Sequence, residues 1–280
     1  MKKIKLKSTA TLVMHWSQEL YQQKPLDRYM KYLDLNEGEY LIKRCDDICD
    51  WYKEVILNRK MLIYDNVILN LISNKEPSQI VIIAAGMCPL SLKILQNYEN
   101  RVSHIFEVDQ SYMEQKTSIY NEFYPEHSDN VSCISCDITK PNILKHLKTQ
   151  ENFDFEKPQI IITEGISYYI SPSELEKLIK IFSSHDRKNK FIMDYLIPFN
   201  EVDIDRRKIP RDIFETIQEH CDIPTITSYS RKDIEKLFKE NKWNLQEIYT
   251  LNNMEFQRKG KYKYFHTPSD GWIQIVIGNI

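Results

Sequence analysis

The sequence predicts an α/β fold: a doubly wound, mostly parallel seven-stranded sheet with a helical N-terminal region and a lid insertion. Three observations predict it. From Pro77 onward, five short β-rich runs alternate with helical patterns, the signature of a parallel sheet covered by helices. Two more β-rich runs close the chain, which suits an antiparallel terminal pair. Ahead of Pro77, apolar residues recur at three- and four-residue intervals from about Ser8 to Ser73, as in amphipathic helices.

The five alternating runs are QIVIIAA (79–85), SHIFEVD (103–109), VSCISCD (131–137), PQIIITE (158–164) and NKFIMDYLI (189–197). The segments between them carry helical periodicity. Ser171 or Ser173, with the acids from Glu174 to Glu176, marks a helix start. The stretch after Pro198, to about residue 228, is charged and proline-punctuated and reads as the lid. NLQEIYTL and GWIQIVIGNI are the closing strands, joined by a polar segment around 251–271. The expected division is a helical cap over 1–76 and a sheet-bearing core over 77–280.

Composition narrows the function classes. Hydrophobic residues make up 42% of 280, enough for a sizeable core. With 38 basic and 40 acidic side chains the net charge is −2, which argues against a nucleic-acid binder. Six cysteines are too sparse for a disulfide scaffold. Apolar runs fall short of the roughly 18–20 residues a membrane helix needs, and the basic N-terminus lacks the apolar core of a secretory signal. The expectation is a cytoplasmic protein, monomer or homodimer, without membrane or nucleic-acid partners.

In an open parallel sheet, ligands bind beyond the carboxyl ends of the strands. Here the first strand runs into Gly86, and the next three end near Asp109, Asp137 and Glu164. An acid 23 positions past the glycine can accept hydrogen bonds from both hydroxyls of a ribose. Asp137 can take an adenine amino group while Ile138 packs on the ring. Gly86 lets a ligand approach the backbone closely. One such acid often does no more than start a turn. Three in register with a glycine favour a nucleoside site. The loop is poor in glycine and contains Pro89, so a ligand without phosphates fits better than a dinucleotide.

The block IIAAGMCPLSLKIL, HIFEVDQSYMEQK, CISCDIT and IITEGISYYIS resembles the leucine carboxyl methyltransferase family. That family comprises class I methyltransferases with a Rossmann-like fold and S-adenosyl-L-methionine as cofactor, including small-molecule O-methyltransferases of polyketide pathways. The resemblance implies cofactor-binding roles for Gly86, Glu107, Asp109, Asp137, Ile138 and Glu164. It implies the same for Arg59, with Lys60 as the alternative register. Lys116 matches the lysine of the family's second motif, and Tyr169 its later tyrosine. The chain departs from the family pattern in three ways: Ala84 replaces its first glycine, Cys88 its aspartate, and the arginine-bearing segment after it is altered. A small alanine can still sit where the glycine's φ is negative, so binding need not be lost.

Methyl transfer from a sulfonium is an in-line displacement that depends on positioning and water exclusion. Tyr169 and Tyr168 follow the fourth strand and are the catalytic candidates, one of them expected to pack in the core. His104 reads as structural; His220, in the lid, could touch substrate. Asp194, inside the fifth strand, could face the site or cap a neighbour. Cys133 and Cys136 are three apart on a strand and point to opposite faces, so no metal is expected. Arg206, Arg207 and Arg211 could clamp an acidic substrate. The expected function is methyl transfer to an oxygen, or a nitrogen, of a small-molecule substrate in a biosynthetic setting. A protein C-terminal carboxylate as substrate, or a non-catalytic cofactor-binding protein, are the alternatives.

Overall fold

A computed structural model describes residues 3–24, 26–140, 142–221, 223 and 225–280. Seven strands form one sheet: β1 (Ser78–Ile83), β2 (Val102–Asp109), β3 (Val131–Ser135), β4 (Gln159–Thr163), β5 (Lys190–Leu196), β6 (Asn244–Thr250) and β7 (Ile273–Asn279). Their spatial order is β3-β2-β1-β4-β5-β7-β6, and the sheet is mixed and mostly parallel. The order reverses direction between β1 and β4, the switch point where doubly wound sheets open a crevice. Both central strands are buried along their whole length. That is why IVII and III read as unbroken apolar runs rather than alternating ones.

Register brings the strand ends together. Ile83 pairs with Val108 on one side and with Thr163 on the other. The residues that follow, from Ala84, Asp109 and Glu164, therefore leave the sheet along one edge. Asp109 in turn pairs with Ser135, two residues before Asp137.

The chain divides into two compact units: residues 1–62, 194–234 and 248–275, and residues 63–193, 235–247 and 276–280. The first unit holds α1 (Ser8–Ser17), α2 (Glu39–Ile48), α8 (Lys208–Cys221) and α10 (Leu251–Lys259), and it shares α3 (Lys53–Ser73) with the second. A short parallel pair, Ile4–Lys5 with Leu33–Asp34, also belongs to it. The second unit holds α4 (Leu90–Tyr98), α5 (Met113–Phe123), α6 (Ile143–Lys148) and α7 (Pro172–Ile181). The helix α9 (Arg231–Glu240) passes from one unit to the other.

The start expected near Ser171 is there. Ser171 caps α7, accepting from the Glu174 N–H, while the Glu174 side chain returns to the Ser171 N–H. Two elements differ from expectation. Part of the polar segment 251–271 is the helix α10, capped by Thr250 with Asn253 in the place usually held by an acid and ended by Gly260 at φ +67°. The charged stretch after Pro198 is largely the helix α8, which buries Pro210, Ile213, Phe214 and Ile217 on one face. Its charges occupy the other face, so the stretch expected as a lid carries a helix that its composition did not announce.

Asn189 ties the second unit together. Its Oδ1 accepts from the Gln159 N–H at 3.0 Å, and its Nδ2 donates to the Phe182 carbonyl at 2.6 Å. Its own carbonyl accepts from the Ile280 N–H at 2.9 Å. The residue is 1% exposed. Asn189→Ala leaves a buried N–H and a buried C=O without partners, and should cost ~2–4 kcal/mol in chemical or thermal denaturation. A loss under ~0.5 kcal/mol would contradict this account.

Candidate active site

The loop after β1 is held from two sides by side chains of β2 and α5. The Gly86 N–H donates to Asp109 Oδ2 at 2.9 Å, and Asp109 Oδ1 accepts from the Ser111 N–H at 2.9 Å. The Gly86 carbonyl accepts from Lys116 Nζ at 3.0 Å, and the Cys88 carbonyl accepts from the same ammonium at 2.8 Å. Lys116 Nζ also lies 2.8 Å from Glu107 Oε2. Ser91 Oγ donates to Glu107 Oε1 at 2.5 Å, and the Tyr120 hydroxyl lies 3.2 Å from the same oxygen. Lys116 and Glu107 are both fully buried.

Three conformational features mark this edge. Gly86 sits at φ +47°, and a Cβ built on it would meet nothing within 4 Å. Ala84 sits at φ +55° and Tyr112, at the cap of α5, at φ +67°. The left-handed region costs a residue with a Cβ roughly 1–2 kcal/mol. The expectation of a negative φ at Ala84 is therefore corrected: the alanine takes up the conformation itself. Two hydrogen bonds just after it, Ala85 N–H to Val108 O (3.2 Å) and Gly86 N–H to Asp109, fasten the chain in this conformation.

Glu107 is fully buried, its carboxylate among Lys116, Ser91, Tyr120 and Cys133, where it supports the loop from beneath. Asp109 is half-buried. Asp137 is half-buried as well, and its Oδ1 accepts from the N–H and the hydroxyl of Thr139 at 3.0 and 2.7 Å. Those two bonds hold its carboxyl below the ordinary range. Ile138 and Glu164 are half-buried at the same end of the sheet, and Gly165 turns at φ +73°. Thr163, at the end of β4, is 1% exposed, and its hydroxyl has no hydrogen-bond partner among the described residues.

Tyr168 and Tyr169 lie in a 3₁₀ turn (Ser167–Tyr169) and differ in burial. Their rings meet edge to face at 4.7 Å, with Tyr168 buried and Tyr169 half-exposed. Tyr168 is a packing residue, which leaves Tyr169 as the tyrosine with solvent access. In the other unit, Arg59 Nη1 lies 3.0 Å from Asp194 Oδ2, both buried, and Lys60 is buried beside it in sequence.

The remaining candidates find other partners. His104 meets Ser132 Oγ at 2.8 Å, and burial lowers its pKa. His220 meets Ser8 Oγ at 3.2 Å and packs on Tyr40. Arg206 lies over the Trp51 ring at 5.4 Å, and Arg207 donates to the Val202 carbonyl at 3.0 Å. The Cys133 thiol faces Glu107 while that of Cys136 faces the Asp137 carbonyl and Asn142. Burial and the Glu107 carboxylate push the Cys133 thiol up. Among the described residues, no group of three or more His, Cys, Asp or Glu could hold a metal, and no helix is long and apolar enough to cross a membrane.

Sequence reasoning saw Lys116 only as a matching position. The signal was Tyr120 one helical turn later, which puts both side chains on the face of α5 that meets Glu107.

The sequence profile of one family, Leucine carboxyl methyltransferase, matches residues 39–183. The chain belongs to that family. It is accordingly an S-adenosylmethionine-dependent methyltransferase, the activity and cofactor of its family. No curated protein matches it. Among solved structures it is similar to a methyltransferase candidate from Thermobifida fusca, at 15% identity and TM-score 0.67, covering 98% of this chain and 95% of that one. It is also similar to a DUF574 family protein from Streptomyces avermitilis, at 10% identity and TM-score 0.66, covering 98% and 97%. At such identities the likeness is one of fold, the class I methyltransferase fold.

The left-handed alanine of this methyltransferase generates a prediction. Ala84→Gly relieves the backbone at the cost of unfolded-state entropy, for a net gain of ~0.5–1 kcal/mol in denaturant titration. A loss of stability would show that position 84 is not held at positive φ.

Proposed function

We propose that this family member transfers a methyl group from S-adenosylmethionine to an oxygen of a small-molecule substrate. The observation that carries the cofactor part is the edge where Gly86, Asp109, Asp137 and Glu164 follow strands in register. The open space over Gly86 suits a ligand lying against the backbone. Asp109 spends one acceptor site per oxygen on backbone N–H groups, and each oxygen has a second for ribose hydroxyls. Both Thr139 bonds fall on Asp137 Oδ1, which leaves Oδ2 to suit an adenine amino group, with Ile138 against the ring.

The bound cofactor supplies an electrophilic methyl on a sulfonium. The protein's part is to orient the acceptor and exclude water. Tyr169 is the side chain for orienting an acceptor oxygen, with Tyr168 packed behind it. An acidic oxygen suits this arrangement, because an acceptor already ionised near neutral pH needs no general base.

Isothermal titration with S-adenosylmethionine and S-adenosylhomocysteine tests the reading. Binding is expected for both. Silence at about 1 mM ligand, where even a ~4 kcal/mol interaction registers, would overturn it. Gly86→Val should abolish binding with the circular dichroism spectrum kept, because valine is strained at this φ and fills the open space. Persistent binding would move the cofactor elsewhere. Methylation of an extract with labelled donor separates the acceptors: label in small molecules supports the proposal, and label only on intact proteins favours a protein carboxylate.

A further inference from the structure

We propose that Lys116 is a positioning residue of the cofactor loop, and that Glu107 serves to keep its ammonium in place. The proposal rests on the cofactor reading above.

A lysine ammonium has three N–H donors and no acceptor. Lys116 meets three acceptors: Gly86 O at 3.0 Å, Cys88 O at 2.8 Å and Glu107 Oε2 at 2.8 Å. Two of the three are backbone carbonyls of the loop that carries Gly86. Both carbonyls turn toward an ammonium that is itself fully buried, and a carbonyl turned from solvent needs a donor. The donor comes from a helix 30 and 28 residues further along, so it fixes the loop against α5. Glu107 accepts in addition from Ser91, the second residue of α4, so the same carboxylate joins the end of the loop to its clamp. With Asp109 on the Gly86 N–H, both backbone polar groups of that glycine are held by side chains.

A purely structural role for this pair predicts something else. Buried ion pairs replaced by apolar side chains of similar volume are often no less stable, whereas removing one partner strands a charge. An apolar replacement keeps the packing and loses the hold on the two carbonyls. Stability and loop position can thus be separated by the choice of variant.

The test compares wild type, Lys116→Met and the double variant Glu107→Leu/Lys116→Met. Each is read by thermal denaturation, S-adenosylhomocysteine titration and amide exchange of Ala85, Gly86 and Cys88. These three amides are hydrogen-bonded in the loop. Lys116→Met alone should lower both Tm and affinity. The double variant should recover most of the Tm while affinity stays about tenfold or more below wild type, with KM for the methyl donor raised more than kcat is lowered. Its loop amides should exchange faster while those of β1 stay protected.

A double variant that binds as tightly as wild type and protects the loop equally would overturn the proposal. Should it not fold, Lys116→Gln, which keeps a donor for one carbonyl, carries the same test. Intermediate exchange at Gly86 and Cys88 supports the clamp, and unchanged exchange removes it. The exchange readout needs no ligand. A wild type that fails to bind the cofactor sinks the functional reading alone, and the fate of the loop amides still decides the role of Lys116.

Discussion

The ammonium of Lys116 sits without solvent beneath a loop whose carbonyls would otherwise face the protein interior. It can be there because Glu107 is there, and Glu107 is fixed by Ser91 and Tyr120. A lone charge in such a place would cost several kcal/mol. The group of β2, α4 and α5 side chains therefore forms as one unit or not at all. What it secures is a short chain segment with two left-handed turns, at Ala84 and Gly86. The parallel sheet brings the segment to the switch point, and the clamp gives it its shape.

That division of labour explains how the loop tolerates substitution. Glycine-rich turns take their shape from backbone freedom. This one takes it from side chains, so a methyl group at position 84 costs ~1 kcal/mol rather than the fold. The strain at Ala84 and Tyr112 flanks the edge where Asp109 emerges. Non-glycine residues persist in that region only where the surroundings over-determine them.

Much of this architecture was legible in the sequence. The five parallel strands showed because burial on both faces demands continuous apolar runs, as in Val81 to Ile83 and Ile160 to Ile162. The acids at the strand ends showed because register follows from strand length. The roles of Glu107 and Asp109 could not be separated. Two apart on β2, they share a face, and only depth below the sheet edge decides which meets solvent. The helix α10 was hidden because Asn253 caps it where an acid would have announced it. The helix α8 was hidden by the charge on its outer face. The φ of Ala84 depends on bonds to Val108 and Asp109, more than twenty residues away, which no local pattern records.

Asp109 has one further consequence. Each of its oxygens already holds a backbone N–H, Gly86 on one and Ser111 on the other. Any ligand hydroxyl that bonds to it shares an acceptor with the loop itself. On the proposed cofactor reading, truncating this carboxylate would remove a ligand contact and unfasten a glycine in one step, so the measured loss would exceed the contact's own contribution. Its apparent importance in a mutational scan would be inflated, while Asp137, whose carboxylate bonds Thr139 within its own turn, would on the same proposed reading report a ligand contact almost undiluted.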